Sequence, residues 1–132
     1  MKRARAIVVF LSMLTLLVPS QAQEKTPFDL ALVEAERNAR QPSGHAFAAA
    51  VGKAFGATYG PRVSACAKRV KKPDLSDFDL LVRLSMNGRI EEALVRPETN
   101  LAVCLRDELN QGSLPVPQTA NYWVRIGIKL KR

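Results

Sequence analysis

The chain is poor in the side chains that most often carry catalysis or hold metals. It has one histidine, His45, and two cysteines, Cys66 and Cys104, in 132 residues. A zinc site drawn from these three would need unusual carboxylate help to reach four ligands, so neither a metal nor a cofactor is expected. No nucleophile elbow and no glycine-rich phosphate loop is present. His45 beside Ser43, and Asp77 with Asp79, come nearest to a catalytic set. Neither group combines a nucleophile, a base and an orienting residue, and strand alternation turns both aspartates outward as solvated carboxylates. The expectation is a protein that is not an enzyme.

Long hydrophobic runs are also missing, apart from one between Ala6 and Val18. It falls short of the roughly 20 apolar residues that span a bilayer. Lys2, Arg3 and Arg5 precede it and Pro19, Ser20, Gln21 and Ala22 follow it, the pattern of a cleavable signal peptide. Residues 1–22 are therefore read as a leader, and the remainder as an exported chain; a retained membrane anchor is the alternative. No cysteine stands directly after the run, which argues against a lipid-anchored lipoprotein.

Charge of one sign is in modest excess. The formal net charge of +8 becomes +5 once the leader's three cations are removed, from 17 Lys and Arg against 12 Asp and Glu. A dedicated nucleic-acid binder concentrates more charge on one face, and export removes most nucleic acid from reach, so no nucleic-acid partner is expected. Lys68, Arg69, Lys71 and Lys72 offer contact to an anionic membrane surface or lipopolysaccharide. The plainer reading is a solvated helix end whose charges complement the helix dipole. An even number of cysteines in a small exported chain reads as one disulfide, Cys66 to Cys104.

What is present is a change of period. Thr26, Pro27 and Asp29 signal a helix start, followed by Phe28, Ala31, Leu32, Ala35 and Ala39 at helical spacing and ended by residues 41–44. Phe47, Val51, Ala54 and Phe55 mark a second segment that stops near Gly56. Val63, Cys66, Ala67 and Val70 mark a third, from Pro61 to the block at Pro73. These two read either as separate helices or as one bent helix.

From Phe78 the period is two: Phe78, Leu80, Val82, Leu84 and Met86 alternate with Asp79, Leu81, Arg83 and Ser85. Asn87 and Gly88 predict a two-residue type I′ turn. The returning apolar residues Ile90, Ala93 and Val95 break simple alternation and predict a bulge near Glu91 and Glu92. Thr99 or Asn100 caps a short helix burying Leu101, Cys104, Leu105 and Leu109. After a proline-marked connection, Tyr122, Val124, Ile126, Ile128 and Leu130 form a last strand. No repeat, low-complexity tract or long linker interrupts the chain.

The order helix, strand, Asn-Gly turn, bulged strand, short helix, strand, with "FDLLVRLSMNGRIEEALVRPET", "NLAVCLRDELNQGSLPVP" and "YWVRIGIKL", resembles the TonB C-terminal domain and the wider TonB-like family. The match covers residues 59–132; residues 23–58 read as an N-terminal helical extension. The resemblance implies an α+β fold, a three-stranded antiparallel sheet with helices packed on one face. It also implies a periplasmic location and a final edge strand that accepts an extended peptide of an envelope or outer-membrane protein. Tyr122, Trp123, Val124, Arg125, Ile126 and Ile128 would then form the partner surface. An edge strand suits that role because its backbone donors and acceptors lack partners.

Two features qualify these expectations. The chain lacks a long proline-rich spacer and its leader reads as cleaved, which departs from an anchored energy transducer and favours a free-standing binding module. A structural or anionic-surface envelope protein without strand addition is the competing reading. Trp123 reads either as a grip on a partner or as packing against the N-terminal helices. Lys129, Lys131 and Arg132 read as a solubilising guard on the edge strand, and such a strand also admits a homodimer.

Overall fold

A computed structural model describes residues 23–131. Residues 1–22 and Arg132 lie outside the described residues, and with them the expectation of a signal peptide.

Helix α1, Pro27–Arg40, starts at a capping box. The Thr26 side chain accepts from the Asp29 amide at 3.2 Å, and the Asp29 carboxylate accepts from the Thr26 amide at 3.1 Å. Helix α2, Gly44–Arg69, follows after a three-residue turn. Gly44 permits that turn, because a side chain there would run into the Asn38 carbonyl. The second and third sequence segments are thus one helix of 26 residues, and the stop expected near Gly56 does not occur. Val51, Phe55, Tyr59 and Cys66 stay on one buried face, and their packing outweighs the weak propensity of the intervening glycines. The division drawn after residue 58 falls inside this helix.

Strands β1 (Phe78–Leu84), β2 (Ile90–Arg96) and β3 (Tyr122–Ile128) form an antiparallel sheet in the order β2-β1-β3. Arg83 faces Glu92 while Leu84 faces Ile90, so Glu91 is the extra residue of the expected bulge. The turn differs from expectation. Only Gly88 has positive φ, at 80°, and its amide donates to Ser85 O, placing Met86 and Asn87 at the turn's centre. This is a type I turn closed by a left-handed glycine, the three-residue hairpin loop rather than the two-residue one. Met86, read as the end of the strand's apolar face, is accordingly an exposed turn residue.

Helix α3, Asn100–Glu108, is capped by the Thr99 hydroxyl, which accepts from the Ala102 amide at 3.1 Å. The disulfide joins Cys66 of α2 to Cys104 of α3, with Cα atoms 5.9 Å apart.

The fold is α+β as expected, but its helices lie on both faces of the sheet. Leu80, Val82 and Leu84 of β1, with Ile90, Val95, Val124 and Ile126, pack against Val51, Phe55 and Tyr59 of α2 and Ala102 and Leu105 of α3. Leu81 points the other way and is fully buried with Phe28, Ala31 and Ala35 of α1; Leu94 and Trp123 flank it. In sequence, Leu81 is one apolar residue between Asp79 and Arg83. Cross-strand pairing sets it opposite Leu94, and sets Arg83 opposite Trp123. That apolar strip is what the amphipathic α1 covers.

Candidate functional site

The partner surface expected on β3 can be judged from its two sides. Ser85 N donates to Arg89 O on the β2 side. In an antiparallel ladder successive residues turn their backbone groups to alternate sides. The odd-numbered residues of β1 therefore face β2, and Phe78, Leu80, Val82 and Leu84 face β3, opposite Ile128, Ile126, Val124 and Tyr122. It follows that Trp123, Arg125 and Gly127 turn their N–H and C=O groups away from the sheet.

One of these groups has an acceptor role already filled: Asn38 Nδ2, at the end of α1, donates to Trp123 O at 3.0 Å. Among the described residues no hydrogen bond reaches the outward groups of Arg125 and Gly127, both of which are exposed. The opposite edge is partly closed. Ile90 N donates to Gly112 O and Leu114 N to Gly88 O, so the 112–114 segment covers the start of β2. Gly88 is also needed here, since a Cβ would meet Leu114 O at 2.3 Å.

Beside the open part of β3 runs a groove of about 510 Å³. Its second wall is the surface of α2 carrying Ala48, Gly52, Gly56, Gly60 and Ser64, which recur every four residues and so share one side of the helix. A Cβ placed on any of the three glycines would meet nothing within 4 Å. Phe55, Val63, Ile126 and Ile128 supply apolar lining, and Arg125 and Lys129 are the charged residues at its rim. Arg125 holds Asp79 through a fork, with Nε and Nη2 at 3.0 and 3.1 Å from the two carboxylate oxygens.

The partner residues expected from the sequence fall into two groups. Tyr122 packs edge-to-face on Phe47 with ring centroids 5.1 Å apart, and burial pushes its hydroxyl pKa up. Val124 is buried, and Trp123 packs against α1, which selects the packing alternative for that side chain. Arg125, Ile126 and Ile128 line the groove, with Gly127 between them. No family model, curated protein or solved structure matches the chain.

The other sequence candidates are apart from this groove. His45 is exposed in the first turn of α2. Asp77 accepts from Leu130 N at 2.9 Å and Asp79 pairs with Arg125, so both carboxylates fasten the end of β3 to β1. No group of three metal-ligating side chains exists among the described residues. In the basic run, Arg69 is committed to Glu108 and to both disulfide sulfurs, and its guanidinium holds the Glu108 carboxyl below the usual range. Lys68, Lys71 and Lys72 are exposed. No described helix is long and apolar enough to cross a membrane. The disulfide fits an exported chain. In sequence Gly56 reads as a stop, which conceals the glycine wall of α2; the four-residue period of Gly52, Gly56 and Gly60 is the signal that marks it.

Proposed function

We propose that this protein is an exported, periplasmic, non-catalytic binding module of TonB-like type, which captures an extended segment of an envelope protein by strand addition to β3. The observation that carries this reading is the open edge: Arg125 and Gly127 present backbone groups without hydrogen bonds among the described residues, beside a groove of about 510 Å³. An extended segment there would continue the sheet to four strands, with main-chain hydrogen bonds giving affinity and side chains giving specificity.

The test follows from which amides face outward. Gly127→Pro removes an N–H that points to the partner while leaving the ladder with β1 intact, because proline is tolerated on the free side of an edge strand. Capture of envelope proteins from an extract is expected to be lost in Gly127→Pro and kept in Gly127→Ala, with both variants folded by thermal melting. Equal capture by the two would contradict strand addition, and equal capture that also fades in 0.5 M salt would favour attraction to an anionic surface.

A further inference from the structure

Resting on strand addition at β3, we infer that the groove between β3 and α2 selects a particular chemistry of partner: an extended segment of another protein that alternates acidic residues with small apolar ones. Both halves of that pattern come from the two faces that a strand lying in the groove would present.

On the α2 side, the segment's inward side chains would meet Ile126, Ile128, Phe55 and Val63, with the glycine wall beyond. Helical glycines lower helix stability, and a Cβ on any of these three would meet nothing in the fold within 4 Å. Their effect is to keep the wall low, so that another backbone can approach α2 closely. Small apolar side chains fit this space and long or charged ones do not.

On the other side, residue alternation places Arg125, Gly127 and Lys129 in one row along the rim. Arg125 has one carboxylate partner, Asp79, which leaves Nη1 unused, and among the described residues no carboxylate lies within ion-pair distance of Lys129. No acidic residue lines the groove on the α2 side; Asp79 and Asp77 lie on the β1 side of the row, Asp79 taken up by Arg125 and Asp77 by the Leu130 amide. Side chains of an added strand that stand beside this row are therefore favoured as Asp or Glu, since opposite charges across adjacent strands attract and like charges repel. The same row argues against a second copy of this chain as occupant. Antiparallel self-pairing centred on Gly127 would set Arg125, already paired with Asp79, opposite Lys129 of the other copy, so that neither β3 offers the other a carboxylate. From Arg125 to Leu130 the open rim extends roughly 17 Å, enough for five or six residues of the partner.

Two capped heptapeptides, one alternating valine with glutamate and one alternating valine with lysine, test the assignment on the disulfide-bonded protein by fluorescence anisotropy, with amide hydrogen exchange as a second readout. The glutamate peptide is expected to bind at least tenfold more tightly than the lysine peptide and to protect the Arg125 and Gly127 amides. Gly56→Leu, which fills the groove from the helix side, is expected to remove that binding with no fall in melting temperature. Lys129→Glu is expected to narrow the preference between the peptides. Equal binding of both peptides with protected edge amides would overturn the acidic assignment and leave strand addition standing. Binding of the glutamate peptide without protection of those amides would overturn both. Binding of neither peptide would overturn the assignment made here, and undiminished binding to Gly56→Leu would remove α2 from the site.

Discussion

Gly52, Gly56 and Gly60 stand in the interior of a 26-residue helix, where each costs about 1 kcal/mol relative to alanine. Nothing in the fold surrounds the space above them. Replacing all three by alanine should therefore stabilise the protein, by about 2 to 3 kcal/mol in denaturant unfolding if the effects add, while narrowing the groove. No gain in stability would mean that these glycines serve the fold and not the groove. Gly88 behaves oppositely: its φ of 80° and the nearby Leu114 carbonyl leave no place for a side chain. Gly88→Ala should destabilise by roughly 1 to 3 kcal/mol, measured in the same way. Both glycine types look alike in sequence, and only the backbone angle and the neighbouring atoms tell them apart.

At the scale of the element, the docking of α1 depends on one ion pair. Its first turn is fastened by Arg96, which donates to Asp29 at 2.7 Å and lies over the Phe28 ring at 4.1 Å. The bond from Arg96, aided by those from Thr26, lowers the Asp29 pKa from 3.8 to about 2. Because the folded value is below the unfolded one, the stabilisation is complete above about pH 4 and is lost as pH falls toward 2. Trp123, the only tryptophan, packs against α1 and reports its docking. Its fluorescence should change through that acid window, and Asp29→Asn should flatten the change there. An unaltered acid profile in the variant would show that this contact does not hold α1 in place.

Much of the element order was legible beforehand, for reasons visible in single residues. Thr26, Pro27 and Asp29 make a local cap that needs no tertiary partner, and the uneven spacing of Ile90, Ala93 and Val95 records the bulge directly. The course of α2 through Gly56 and Pro61 was not legible, because it depends on Phe55 and Tyr59 finding a core supplied by distant strands. For the same reason Leu81 read as an exception on a polar face: its neighbours Leu94 and Trp123 come together only through the sheet. The candidate site was half legible. The resemblance named six residues of β3, of which Arg125, Ile126 and Ile128 line the groove, whereas the wall facing them belongs to a helix some 70 residues earlier in the chain.

For the whole molecule, one bridge and one edge set the balance between closure and openness. The Cys66–Cys104 disulfide ties α2 to α3 across a separation of 38 residues. In the chain-entropy account it contributes about 4 kcal/mol. Reduction, or a Cys66→Ser, Cys104→Ser double variant, should lower stability by about that amount. A loss near zero would mean that the Arg69–Glu108 contact and apolar packing hold the two helices without the bridge. With α1, α2 and α3 covering both faces and the 112–114 segment closing only the start of β2, the sheet keeps open edge at Ala93 and Val95 of β2 and along β3 beyond Trp123, where the groove against α2 adjoins it.

Residue-resolved amide hydrogen exchange on the isolated protein reads that openness most directly. The account predicts an alternation along the last strand, with Val124, Ile126 and Ile128 slow and Arg125 and Gly127 fast. Uniformly slow exchange at all five would contradict it, because the edge proposed to receive a partner would already be paired.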